Sequence, residues 1–231
     1  MQRLKLLGLT LMALIVLSAT ATAVASAEEL PNILPLGTEA KPVEFSAVSA
    51  GATLQIGTLK IVCKKDQFAA AATRGKLGRY KVSLEECEEQ VLKVKCSSLN
   101  NTDAMAKIDI EGEFHMRYRV PRTAGVTFIL LLVHLHVLCG ALILFLILGC
   151  SGARVTPLNK LTKTSEAIFK ETEGKEEITE VESENGKSTE SCTMKAKKGS
   201  EEKEESTGLE TTEDFEHFTQ GGKAVEELIM A

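Results

Sequence analysis

The chain has 231 residues, 44% of them hydrophobic and 26% charged, with a net charge of −5. That is room for one globular domain with additions, and the acidic balance removes the electrostatic ground for nucleic acid as a partner. With no Trp and 4% aromatics, stacking platforms for sugars or bases are scarce.

Arg3 and Lys5 precede an apolar run at residues 6–17, and Ala25-Ser26-Ala27 places small residues where a signal peptidase reads. Residues 1–27 therefore read as a secretory signal peptide. The apolar run is shorter than the ~20 residues a membrane anchor needs. Export into an oxidising compartment makes the six cysteines disulfide candidates. Residues 28–41 contain Pro31 and Pro35 and end against Pro42. Proline restricts its own φ and its predecessor's, so this is an extended lead-in.

Residues 42–181 read as a β-rich domain. Leu59, Ile61 and Cys63 alternate with Lys60, Val62 and Lys64 in a strand drawn from 54 to 63. Tyr80, Val82 and Leu84 alternate with Arg79, Lys81, Ser83 and Glu85, and Leu92, Val94 and Cys96 with Lys93 and Lys95. The longest alternation is residues 104–120, where Ile108, Ile110, Phe114, Met116 and Tyr118 face away from Lys107, Asp109, Glu111, Glu113, His115 and Arg117. Period two over that length predicts a half-buried strand, with Gly112 as a bend or bulge. Gly75, Gly78 and Asn100-Asn101 are turn signals. Short alternating strands at this spacing predict an antiparallel β-sandwich or barrel.

Residues 126–150, VTFILLLVHLHVLCGALILFLILGC, carry no Asp, Glu, Lys or Arg. Two readings stand. One is a single membrane-spanning helix over 126–149. The other is a pair of buried strands turning at Cys139-Gly140. Beyond it, residues 166–170 and 177–181 extend the sheet. Residues 182–231 form an acidic, largely disordered region, because Glu, Lys, Ser, Thr and Gly through 213 bury too little surface to offset ordering entropy. Phe215, Phe218, Val225, Leu228 and Ile229 return to the domain as a terminal strand or helix.

The run LPNILPLG at 30–37 resembles a family of uncharacterised secreted proteins from soil actinobacteria, as do the segments at Cys63-Lys64-Lys65, Glu85-Glu86-Cys87-Glu88, Lys95-Cys96-Ser97, Cys139-Gly140 and Thr156-Pro157-Leu158-Asn159-Lys160. The resemblance covers residues 30–169. It implies a secreted β-rich domain with strands around a Cys-Gly turn at 139–140, and no known activity. It favours the strand pair over the helix. Cys150 and Cys192 depart from the family's pattern, and their pairing stays open.

Cys87 and Cys96 flank a short acidic connection and are expected to pair. Cys63 and Cys139 fall at strand ends and are expected to join distant parts of the sheet. No C-x-x-C pair suggests zinc. His134-x-His136 is a histidine pair on one strand face without a third ligand nearby in sequence. There is no G-x-S-x-G elbow and no glycine-rich phosphate loop. The expectation is an exported, non-enzymatic structural or binding domain, without catalytic residues, cofactor or metal, and with a cell-envelope or extracellular partner. The second reading is a single-pass surface protein whose acidic tail, with Cys192 reduced, lies inside the cell. The remote third is an extracellular hydrolase or metal-binding protein.

Overall fold

The computed structural model describes residues 33–35, 42–73, 77–99, 106–141, 143–158, 162–183, 186–200, 203–225 and 228–230. The expected signal peptide, 1–27, lies outside the described residues.

β1 (Ile33–Pro35) belongs to the lead-in. β2 (Val43–Ser49), β3 (Ala52–Ile56), β4 (Leu59–Cys63), β5 (Lys65–Thr73) and β6 (Leu77–Glu85) follow through short turns. β7 (Glu88–Glu89) and β8 (Cys96–Ser98) flank a tight knuckle. β9 (Ile108–Tyr118), β10 (Val126–Cys139) and β11 (Ile143–Thr156) are the long middle strands. β12 (Ser165–Phe169), β13 (Glu171–Thr172), β14 (Lys175–Glu176), β15 (Glu180–Glu182) and β16 (Thr189–Ser191) lead to β17 (Met194–Lys198) and β18 (Glu204–Gln220). β19 (Lys223–Ala224) and β20 (Leu228–Met230) come next, and β20 pairs with β1.

Eight strands close into an antiparallel barrel in the order β12-β11-β10-β9-β6-β5-β2-β18, and β18 pairs back onto β12. Closure leaves no open edge in the ring. β3, β4 and β7 continue outward from the first half of β18, and β17 bridges β11 and β18. The mainly β, barrel-like fold class read from alternation is the one observed.

The barrel interior is filled by rings. Phe45, Phe68, Phe114, Phe128, Phe215 and Phe218 are all buried and in mutual contact. Phe114 stacks on Phe128 at 4.5 Å between centroids, and Phe45 meets Phe215 edge-on at 5.2 Å. Burying each ring is worth roughly 1.5–3 kcal/mol, and such ring pairs add about 0.5–1.5 kcal/mol. A chain with few aromatics spends six of its eight Phe on one cluster, so these positions carry the core.

The charge-free stretch forms β10 and β11, an antiparallel pair running from Thr127↔Arg154 to Cys139↔Ile143 with a register shift between Leu132 and Leu135. The single helix over 126–149 is not formed, and no helix of the described residues is long and apolar enough to cross a membrane. Gly140 takes φ +60° in the turn, a conformation that favours glycine. The pair needs no polar alternation because parts of both faces are covered. Phe128, Leu130, Val137, Phe145 and Ile147 face the core, while Ile129 and Cys150 pack on the outside against Ile178, Val181 and Cys192.

Several expectations are corrected. The strand drawn from 54 to 63 is two strands, β3 and β4, because Gly57 takes φ +54° in a turn between them. Of the expected alternation Leu92, Val94 and Cys96, only Cys96 is in a strand; Leu92 lies with Val91 in an exposed turn and Val94 in the connection after it. The buried Glu89 carboxylate fixes that turn by accepting the N–H of Val91 at 2.9 Å and that of Leu92. The domain does not end at 181. Residues 204–220, expected to be mostly disordered, are β18, which closes the barrel.

The disulfides are Cys63–Cys87, Cys96–Cys139 and Cys150–Cys192. This replaces the expected Cys63–Cys139 and Cys87–Cys96 pairs and gives Cys150 and Cys192 to each other. Register explains it. β4 pairs with β7 at Val62↔Glu88, which sets Cys63 beside Cys87, and Cys139 lies directly opposite Cys96 on β8. Three disulfides are the mark of an oxidising compartment.

Candidate functional site

β9 is continuous, but β10 follows it only from Val126↔Tyr118 to Leu131↔Glu113. Gly112 marks where they part. It is not a turn. A Cβ there would stand 2.3 Å from the Leu131 carbonyl oxygen and 2.9 Å from the Tyr80 ring. Tyr80, the cross-strand partner of Gly112, lies over the gap left by the missing side chain. Its hydroxyl donates to the Leu131 carbonyl at 3.3 Å. The ladder lost at this point is thus partly replaced by a side chain.

Beyond Leu131, β10 shifts register against β11 between Leu132 and Leu135. Both leucines stay buried, His134 swings into solvent and His136 is half-buried. β8 then takes over as the partner of β10 at Val137–Cys139. Its end is tied in by the N–H of Leu99 donating to the His136 carbonyl and the N–H of Ser98 donating to that of Lys107, each at 3.0 Å. The split between β9 and β10 leaves a cleft of about 490 Å³. Asp109, Glu111 and Lys81 line one side, and His134 and His136 the other. Lys81 and Glu111 form an ion pair at 2.8 Å, and hydrogen bonding to Glu111 raises the ammonium's pKa.

That ion pair also borders a second depression of about 840 Å³ across the outer face of β2, β5, β6 and β9. Its cause is a run of small residues. Along β5 the outward row falls to Ala69 and Ala71, while the neighbouring strands carry long side chains. The rows read Ser46-Ala69-Lys81-Glu111 and Glu44-Ala71-Arg79-Glu113. Two alanines walled by charges of both signs make a trough. Together, trough and cleft form a groove along one flank, with Lys81 and Glu111 at their boundary.

The two histidines singled out from sequence do face the cleft. Among the described residues no group of three or more His, Cys, Asp or Glu is placed to hold a metal ion. Among the described residues, the exposed large hydrophobic ones are Val48, Leu77, Val91, Leu92, Leu99 and Val120, none of them aromatic. The groove therefore offers charge and shape rather than ring stacking. Sequence reasoning missed the trough. Its signal was Ala69-Ala70-Ala71-Ala72, a small-residue run inside a strand whose neighbours alternate with charge. No protein-family model matches the chain, and comparison with curated proteins and with solved structures returned no match.

Proposed function

We propose that this protein is an exported, non-enzymatic binding module of the cell envelope or extracellular space, and that its ligand lies in the groove along β2, β5, β6 and β9. The groove itself carries this reading: two adjoining depressions, floored by Ala69 and Ala71 and lined by Glu44, Arg79, Lys81 and Glu113. Charges of both signs beside a floor of small side chains suit an extended peptide segment bearing both acidic and basic groups. Three disulfides, the signal-peptide pattern at 1–27 and the resemblance to secreted actinobacterial proteins support export.

The test has two parts. Expressed with its leader, the protein is expected in the medium or periplasmic fraction and not in the carbonate-resistant membrane pellet. The purified protein is then screened on an array of extracellular peptides, with Ala71→Arg, which fills the trough, as the control. Peptide binding lost in Ala71→Arg supports the reading. Absence of any bound peptide, or binding indifferent to Ala71→Arg, overturns it.

A further inference from the structure

Where β2 turns into β3, two carboxyl groups are enclosed at the barrel wall. Asp66 lies on the same side of β5 as Phe68, and Glu213 on the same side of β18 as Phe215. They are 0% and 1% exposed. The two carboxyls stand within hydrogen-bonding reach of each other. Thr211 Oγ1 lies 3.2 Å from Asp66 Oδ2, 3.2 Å from the Gly51 carbonyl oxygen and 3.2 Å from Ser49 Oγ. Ser49 Oγ is 3.3 Å from the same carbonyl oxygen.

Fixed donors serve only part of this oxygen: the Gly51 N–H donates to Ser49 Oγ at 3.3 Å, and each hydroxyl carries one proton. A Thr hydroxyl has one proton, yet Thr211 has three oxygen neighbours. Asp66 Oδ1 and Glu213 Oε2 are buried and receive no hydroxyl or amide donor, so the only proton that could serve them is one shared between the two carboxyls. Leaving such groups unpaired is costly. Burial pushes both carboxyls above their ordinary pKa, and no lysine, arginine or histidine is among the groups that shift either one. The charged neighbour that does act, Asp214, adds further negative potential at Glu213.

We propose that this cluster is a calcium site, with the carboxylates of Asp66 and Glu213, the hydroxyls of Ser49 and Thr211 and the carbonyl of Gly51 as its oxygen ligands. Calcium takes six to eight oxygens at about 2.3–2.6 Å, which places neighbouring ligands about 3.4 Å apart when they subtend a right angle at the ion. The spacings of 3.2 and 3.3 Å match that shell. Two carboxylates balance the charge of one divalent ion. Magnesium suits the cluster less well, because it holds several waters in a strict octahedron. A path exists. A cleft of about 530 Å³ is lined by Ser49, Gly51 and Thr211 and by the exposed acids Glu210 and Asp214, which would concentrate cations at its mouth. Gly51 takes φ +137°, and a Cβ there would meet the Cys63 carbonyl oxygen at 2.4 Å, so the backbone that presents its carbonyl requires glycine. The ion would staple the β2–β3 turn to β5 and to β18, segments up to 162 residues apart in sequence.

The test is calorimetry and thermal unfolding of the mature protein at pH 7.5, first in EDTA and then in CaCl₂ or MgCl₂ at equal ionic strength. An ion at about 100 times its Kd raises Tm by about 5–10 °C for a chain of this size. The expected result is such a rise with CaCl₂, little with MgCl₂, and none with CaCl₂ in Asp66→Asn or Glu213→Gln. Both variants remove the ionisable group while keeping the side chain's shape, so they are expected to fold. Glu176→Gln, outside the cluster, is expected to keep the full response. The proposal is overturned by equal Tm in EDTA and CaCl₂, or by a calcium response that survives in both Asp66→Asn and Glu213→Gln; the first result would leave a shared proton as the occupant.

Discussion

Glu176 shows how much a single side chain depends on what arrives around it. Its Oε1 accepts the Ser151 hydroxyl at 2.7 Å and the Leu209 N–H at 3.0 Å, while Oε2 has no partner. Burial pushes its pKa up to about 8, the two hydrogen bonds pull against that, and Glu171 adds a smaller upward push. An acid whose pKa is higher folded than unfolded holds an extra proton in the native state. The stability it contributes is full below about pH 4.5 and is lost as pH rises through about 8. Thermal unfolding from pH 5 to 9 should therefore show falling stability, on the order of a few kcal/mol in all. Glu176→Gln should flatten the profile, and a variant profile that overlays the wild type would refute the assignment. None of this was legible in the sequence. The next residue, Glu177, is an ordinary surface acid paired with Arg154 at 3.1 Å. Only the approach of β11 and β18 distinguishes the two.

At the scale of elements, the legible strands were those whose two faces differ in chemistry. β6 and β9 bury Tyr80, Val82, Leu84, Ile108, Ile110, Phe114 and Met116, as alternation required. β10 and β11 were only half legible: Gly140 and the need of a half-finished sheet for a second layer weighed against a membrane helix without deciding it, and the resemblance favoured strands. β18 was not. Its buried row reads Thr207, Leu209, Thr211, Glu213, Phe215, where polar side chains replace the expected hydrophobic ones. Its order comes from backbone hydrogen bonding on both edges, to β3 and β2 on one side and to β17 and β12 on the other. The disulfides are likewise consequences of register. Each closes a loop of 24, 43 or 42 residues, worth about 3–4 kcal/mol apiece in the chain-entropy treatment. Mass spectrometry of unreduced peptides should recover Cys63–Cys87, Cys96–Cys139 and Cys150–Cys192. A Cys87–Cys96 peptide would contradict the β4–β7 register.

For the molecule as a whole, β18 is the closing stave, and a barrel lacks a stable open form. Removing it would expose unpaired edges on β2 and β12 and take Phe215 and Phe218 out of the ring cluster. A chain truncated before residue 204 is expected to lose its cooperative thermal transition and to aggregate. A self-contained domain ending near 181 would instead melt cooperatively without that segment. The truncation therefore separates the two architectures in one scan.

From residues alone, the β class and the strand character of 108–118 were determined, because period-two alternation is a local property; the turn at Gly140 stood level with a membrane helix until the folded sheet decided it. The cysteine partners, the groove and the enclosed carboxyls were decided only by the folded barrel. Each joins segments far apart in sequence, and its chemistry depends on register and burial, which no local pattern encodes. Alanines at 69 and 71 become a floor only when longer side chains stand on both sides. Acids at 66 and 213 become neighbours only when the last long strand returns to complete the ring.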